Sequence, residues 1–259
     1  MKIIDSHIHL DKYKDEEISH ILENSTGIDK LISVSFDLNS CQKNLELARK
    51  YSKVKTAFGF HPEQELPTEN GKLELFNWIE IHKDEMIAIG EVGLPYYLKQ
   101  SQKVSPKQYE QYIELLEAFI QKAEEWQKPV ILHAVYDDSP IVCGLLEKYS
   151  TKKAHFHWFK GDSKTINRMI ENGYFISITP EIVYKEKIQQ LVKTYPLSKM
   201  MVETDGPWPF EGPFSGRMTH PNMIQESIRM VAKIKKLPIN EVEERLFQNT
   251  LSFYQLSLY

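Results

Sequence analysis

The sequence predicts an α/β protein: a (β/α)8 barrel of the TIM type, with residues 1–259 forming a single domain. Three observations predict it. Eight short, nearly all-apolar runs recur along the chain, a helical pattern follows each, and the length lies near the ~250 residues at which such barrels form as one unit. The 41% hydrophobic and 26% charged content is ordinary for a globular chain and excludes disordered and collagenous classes. No internal repeat, linker or low-complexity segment argues for a second domain.

In chain order the candidate strands are Lys2–Ile4, Lys30–Ser35, Lys55–Phe60, Ile87–Gly90, Pro129–His133, Ala154–His157, Tyr174–Ile178 and Lys199–Val202. Runs this apolar suit parallel strands covered on both faces. The clearest helix is Ser105–Gln127. Ser105 can cap it, Pro106 suits its first position, and Gln108 completes the capping-box spacing. Tyr109, Tyr112, Ile113, Leu116, Phe119, Ile120, Ala123 and Trp126 then make one apolar stripe at three- and four-residue intervals. Two more helical patterns, Asn222–Lys236 and Ile239–Gln255, follow the last strand. An open doubly wound sheet is the competing architecture, but no GxGxxG phosphate loop follows the first run. The one Pro/Gly-rich interval, Gly206–Pro221, comes after the eighth strand, where a barrel carries an active-site loop.

Charge and cysteine content narrow the function classes. With 32 basic and 36 acidic residues the formal charge is −4, so no global basic character advertises nucleic-acid binding. Cys41 and Cys143 stand far apart with no CxxC or Cys/His spacing, which argues against a disulfide framework or a cysteine zinc site. No stretch approaches the roughly 18 apolar residues of a membrane span, and Asp5 and His7 fall where a signal peptide needs its apolar region. A cytoplasmic protein without a membrane partner is the expectation.

The chemistry is carried by six residues, His7, His9, Glu91, His133, His157 and Asp205, which all fall at or just beyond the C-terminal end of a candidate strand. In a barrel those ends converge on one mouth. Singly, each has a structural reading, as a satisfied histidine or a helix cap; six on one rim point to a site. His7 and His9, two apart in an extended segment, project to the same side and can reach one ion. Imidazole and carboxylate are the ligand set of zinc, iron, manganese and related divalent ions. Four imidazoles and two carboxylates exceed what a four-coordinate zinc needs, so two divalent ions bridged by Glu91 are expected. Paired ions about 3.5–4 Å apart are a recurrent apparatus for hydrolysing phosphate esters.

The ordered motifs Asp5-Ser6-His7-Ile8-His9-Leu10-Asp11, Gly59-Phe60-His61-Pro62, Gly90-Glu91-Val92-Gly93-Leu94, Pro129-Val130-Ile131-Leu132-His133, His157-Trp158-Phe159-Lys160-Gly161, Glu203-Thr204-Asp205 and Asn249-Thr250 span nearly the whole chain. In these the sequence resembles the TatD-type metal-dependent DNases, a branch of the amidohydrolase-like barrels. The resemblance implies that His7, His9, Glu91 and Asp205 hold one ion and that Glu91, His133 and His157 hold the other. It also implies that Asp205 orients or deprotonates the attacking water, making Asp205 and Glu91 the catalytic candidates, and that His61 contacts the substrate phosphate. The implied cofactors are two divalent ions, Mg, Mn or Zn, and the implied activity is hydrolysis of DNA phosphodiesters, often from the 3′ end. Three positions depart from the pattern. Pro95 stands where an acidic residue usually precedes the aromatic pair, Lys160 replaces a small hydroxyl residue, and Thr219-His220-Pro221 replaces an Asn-Glu-Pro element.

Other residues of the mouth loops are candidates for substrate contact. Lys160 and Arg217 can supply positive charge for phosphates, against the reading that they are solvated surface charges. Trp158, Trp208, Phe210 and Phe214 can stack on unpaired bases, or pin their loop to the barrel rim, the reading preferred for Phe159. Trp208, between Pro207 and Pro209, is the best candidate for an exposed platform. His155 and Glu203, each two residues before a ligand candidate, should support the ligands from behind. His20 and His82 read as surface residues, and His220 either caps the following helix or reaches the site. The leading expectation is a DNase acting on single-stranded or frayed DNA ends or short oligonucleotides. The alternatives are an ester or amide hydrolase, with a lactone, cyclic amide or aminoacyl-tRNA as substrate, and a non-catalytic barrel subunit of a DNA-processing assembly.

Overall fold

A computed structural model describes residues 2–25 and 27–257. Eight parallel strands lie side by side in sequence order: β1 (Ile3–Ile8), β2 (Ile28–Val34), β3 (Val54–Phe58), β4 (Ala88–Gly93), β5 (Val130–His133), β6 (Ala154–Phe156), β7 (Phe175–Ile178) and β8 (Met200–Val202). Helices α1 (Asp15–Asn24), α2 (Leu38–Lys50) and α3 (Glu69–His82) follow the first three strands, and α4 (Tyr96–Gln100) and α5 (Pro106–Glu125) follow β4. Next come α6 (Ser139–Lys148), α7 (Ser163–Asn172) and α8 (Glu186–Thr194), one after each of β5 to β7, and then α9 (Ile224–Lys235) and α10 (Ile239–Tyr254). This is the expected (β/α)8 fold.

Two strands run further than their apolar runs. β1 continues through Asp5, Ser6 and His7, and β4 continues through Glu91 to Gly93, with every residue of both strands buried. Polarity stops a hydrophobicity reading at Ile4 and Gly90. Inside a barrel, however, Asp5 pairs with Thr204, and His7 and Glu91 face each other across the barrel interior, so the ladder goes on. β1 and β8 meet where the barrel closes. The Asp205 N–H donates to the His7 carbonyl at 2.9 Å and the His9 N–H to the Gly206 carbonyl at 2.7 Å. Just below, Asp5 accepts from the Thr204 N–H at 3.0 Å and pairs with Thr204 Oγ at 2.5 Å.

Helix α5 forms as its sequence dictates: Ser105 accepts from the Gln108 N–H at 3.3 Å and Gln108 Oε1 accepts from the Ser105 N–H at 3.0 Å. Tyr109, Tyr112, Leu116, Phe119, Ile120 and Ala123 of its stripe are buried, joined by Leu115, while Ile113 and Trp126 are half-buried at the flank. The main core lies between the sheet and the helices. A second core fills the inner face, where Ile4, Ile32, Ile131 and Met201 pack against Phe247, Leu251, Phe253 and Tyr254 of α10. Burying each such side chain contributes about 1.5–3 kcal/mol. Among the described residues no helix is long and apolar enough to cross a membrane.

Candidate metal centre

The closing bonds between β1 and the segment after β8 bring His7, His9 and Asp205 to one edge of the mouth, and β4, β5 and β6 bring Glu91, His133 and His157 to the other. The Glu91 carboxylate lies between them. Its Oε2 is 3.1 Å from His7 Nε2 and 3.2 Å from His9 Nε2, and its Oε1 is 2.7 Å from His157 Nε2 and 2.9 Å from His133 Nδ1. Asp205 Oδ1 stands 3.4 Å from His7 Nε2 and 3.6 Å from His9 Nε2. Each carboxylate oxygen of Glu91 thus serves a different imidazole group.

Buried polar atoms are normally hydrogen-bonded. Here both ring nitrogens of His7 and His9, Nε2 of His133, Nδ1 of His157, Oε2 of Glu91 and Oδ1 of Asp205 are buried with no hydrogen bond among the described residues. Three triads of ligand atoms, His7/His9/Glu91, His61/Glu91/His133 and His7/His157/Glu203, each lie within 4.8 Å of one another. Such a concentration of nitrogen and carboxylate donors fits divalent ions. His61 belongs to this cluster, with Nε2 3.4 Å from Glu91 Oε1 and its ring stacked on Phe36.

Electrostatics sets the site apart. Burial opposes charge on both His7 and Glu91, yet their mutual attraction outweighs it. The His7 imidazole is held well above the ordinary histidine value, and His157, His61 and His7 hold the Glu91 carboxyl well below the carboxylate range. Burial also opposes a charged His133, but Glu63 and Glu91 raise it to about 9. Burial lowers His157 to about 4 and His61 well below the histidine value. Opposed shifts packed into one cleft are the pattern of a functional site. Two backbone conformations add to it. Asp205 and Trp158 sit at φ 53° and φ 38°, left-handed values that cost non-glycine residues about 1–3 kcal/mol. Next to Asp205, Gly206 lies so close to Tyr13 that a Cβ would come within 1.8 Å of the phenol oxygen.

Above the cluster opens a cavity of about 540 Å³ lined by Phe36, Tyr97, Trp158 and Trp208 together with Glu63 and Lys160. Trp208 is 40% exposed and sets its ring edge-on to His9, with centroids 6.0 Å apart. Lys160 Nζ lies 4.1 Å over the Trp158 ring and 3.5 Å from Glu181, and burial lowers its amine. Phe159, Phe210 and Phe214 are buried and pin the loops. Arg217 lies apart from this cavity and lines a separate depression with His20 and His220. His220 caps the turn after it, accepting the Asn222 N–H on Nδ1 at 3.2 Å. His20 is exposed, and His82 pairs with Glu85 on α3's end. His155 and Glu203 are buried below the ligand layer.

Sequence reasoning passed over Glu63. Its carboxylate accepts the N–H groups of Tyr97 and Leu98 at 2.8 Å each and lies 3.4 Å from His133 Nε2. It caps the first turn of α4, whose own N-cap position holds Pro95 with no side-chain bond. Proline offers no side-chain acceptor at that position, which is the signal in the sequence that the turn needs one from elsewhere.

The sequence profile of the family described as TatD related DNase matches residues 4–255. The chain belongs to this family. A protein of Haemophilus influenzae, described as an uncharacterized metal-dependent hydrolase, is 41% identical over 256 residues, covering 98% of this chain and all of its own. Human deoxyribonuclease TATDN3 is 28% identical over 263 residues, covering 97% and 94%. The crystal structure of the TatD homolog YjjV of Escherichia coli K12 superposes with a TM-score of 0.87 at 23% identity, covering 98% of both chains. The TatD-family chain described here is accordingly a metal-dependent hydrolase on a TIM-type barrel.

Proposed function

We propose that this TatD-family hydrolase cleaves phosphodiester bonds of single-stranded or frayed DNA from the 3′ end, with two divalent ions and with residues 1–259 working as one catalytic unit. The observation that carries the reading is the division of the Glu91 carboxylate, one oxygen toward His7 and His9 and the other toward His133 and His157. His7, His9, Glu91 and Asp205 would hold one ion, and Glu91, His133 and His157 the other. When bound, the ions supply Lewis acidity and a water of lowered pKa.

The chain's own residues supply the rest. Asp205 Oδ1, buried and without a hydrogen bond among the described residues, is placed to orient a water and take its proton. His61, whose Nδ1 accepts the Glu63 N–H, presents Nε2 toward the centre, where a phosphate oxygen can accept from it. Trp208 offers a face to an unpaired base at the mouth. Among the described residues Lys160 is the lysine lining the cavity, and Glu181 partly balances it. One such side chain beside the ion site suits a chain end or a short oligonucleotide better than long duplex, whose grip depends on many phosphate contacts.

The test is incubation of 3′-labelled single-stranded DNA with Mg²⁺ or Mn²⁺, beside duplex DNA, aminoacyl-tRNA and lactone panels. Metal-dependent shortening of the single strand that Asp205→Asn abolishes is expected. No metal-dependent cleavage of DNA, or cleavage indifferent to Asp205→Asn, refutes the proposal.

A further inference from the structure

A line of buried polar side chains runs from the C-terminal helix along the inside of the barrel to the metal centre. Tyr254, the last residue of α10, sets its phenol oxygen 2.6 Å from His155 Nδ1, and His155 Nε2 is 2.6 Å from Ser177 Oγ. Ser177 Oγ lies 2.5 Å from Glu203 Oε2, while Glu203 Oε1 accepts the Trp158 N–H at 2.7 Å. The same Oε1 faces His157 Nδ1 at 3.8 Å. Tyr254, His155, Ser177 and Glu203 are all buried.

Donor and acceptor chemistry orders this line. When Glu203 is ionised it only accepts, so Ser177 donates to it; Ser177 then accepts from His155 Nε2–H, which leaves Nδ1 to accept from the Tyr254 hydroxyl. In that form every hydrogen points toward Glu203, and one tautomer of His155 satisfies the whole line. Its surroundings are apolar: Ile4, Ile131, Met201 and Phe253 form the inner core there. Apolar residues at 155, 177 and 254 would pack in that core without any desolvation cost. Folding alone therefore does not require the line. Its upper end meets two features of the metal centre, the Nδ1 side of His157 and the left-handed turn at Trp158, a conformation that persists for a bulky residue only where its surroundings over-determine it.

The geometry points to Tyr254, acting through His155 and Ser177, as a remote positioning residue for the metal centre. The line fixes the Glu203 carboxylate in the orientation that holds the His157–Trp158 turn, and so sets how tightly the His133/His157 side binds its ion. Nothing in the family resemblance involves Tyr254. The inference rests on the two-ion reading above and ties metal affinity to the seating of α10.

Manganese titration of the metal-stripped full chain, with free Mn²⁺ read by electron paramagnetic resonance, tests it without any nuclease substrate. Tyr254→Phe keeps the ring and removes only the hydroxyl; Ser177→Ala cuts the line beside the carboxylate. Each should weaken one of the two Mn²⁺ sites by roughly tenfold, within the 10–100-fold range of outer partners of metal-binding histidines. The other site should hold, and the double variant should be no weaker than Ser177→Ala alone, because both cuts sever one line. If Ser177→Ala does not fold, Tyr254→Phe decides alone. Melting of the metal-stripped protein separates a merely structural role: a lower Tm with both Mn²⁺ affinities unchanged overturns the inference, as do losses that add. A wild type that takes up fewer than two Mn²⁺ ions contradicts the two-ion reading together with the inference, whereas two sites indifferent to both substitutions contradict the inference alone.

Discussion

Replacing Asp5 by alanine removes the side chain that ties β1 to the end of β8 directly beneath the metal centre. Asp5 Oδ1 accepts from the Thr204 N–H at 3.0 Å and the His7 N–H at 3.3 Å, and Oδ2 pairs with Thr204 Oγ at 2.5 Å. Asp5 and Thr204 are fully buried, so no water replaces the lost acceptor. Leaving the Thr204 amide and hydroxyl unsatisfied costs about 1–3 kcal/mol each, with the longer His7 bond adding little. A loss of about 4 kcal/mol is a large part of the 5–15 kcal/mol that stabilises a typical domain. At roughly 2–4 °C per kcal/mol it lowers Tm by roughly 8–16 °C. Asp5→Asn adds a sharper test through pH. Burial raises the Asp5 carboxyl from the ordinary 3.8 to about 7, so the folded protein keeps a proton that the unfolded chain has lost. Stability from this source is full below about pH 4 and is lost as pH rises through about 7, by about 1.4 kcal/mol per pH unit. Asparagine has no such proton, so the wild type's advantage over Asp5→Asn should shrink by about 2 kcal/mol between pH 5 and pH 7. Urea unfolding at pH 5, 6 and 7 measures both effects. An alanine variant within about 1 kcal/mol of wild type, or an asparagine gap that does not move with pH, refutes the reasoning.

Three further outcomes follow from the geometry. Because Glu63 and Glu91 overcome burial to hold His133 up to about 9, and a ligating imidazole must give up its proton, divalent-ion affinity should rise about tenfold per pH unit from pH 6 to 8; a Kd that is flat across that range by chelator competition contradicts this. Trp208→Ala should raise KM for single-stranded DNA by roughly 5–100-fold, the stacking of one base, without lowering Tm, while Arg217→Ala, in its separate depression, leaves KM unchanged; equal effects of the two would count against the assigned mouth. Glu63→Ala should speed hydrogen exchange at the Tyr97 and Leu98 amides, a cap being worth about 1 kcal/mol, and Pro95→Asp in the same background should restore protection; unchanged exchange in Glu63→Ala removes Glu63 from this role.

The fold was legible because apolar runs and helical stripes alternate along the whole chain. Helix α5 shows how far local chemistry reaches, since Ser105, Pro106 and Gln108 define its start down to the individual hydrogen bonds. β1 and β4 show where it stops. Asp5, Ser6, His7 and Glu91 look like strand breakers until the closed barrel sets Asp5 against Thr204 and brings His7 and Glu91 into one centre. The six rim residues were legible as strand-end coincidences and Glu91 as the bridge between two histidine groups, but which of its oxygens faces which pair depends on barrel curvature, which no single strand encodes. Glu63 was missed because its partners, Tyr97 and Leu98, lie more than thirty residues away on a different loop. Arg217 and Trp208 sit on one Pro/Gly-rich loop and look equivalent in sequence. Only the path of that loop, pinned by buried Phe210 and Phe214, turns one toward the cavity and the other away.

Glu91 joins the two proposed ion sites, and counting metal tests that most directly. Protein loaded with Mn²⁺, desalted and measured by inductively coupled plasma mass spectrometry should carry two ions per chain, and Glu91→Gln should lose ions from both sites while keeping its fold by circular dichroism. A wild type carrying a single ion, or a Glu91→Gln protein that retains both, contradicts it.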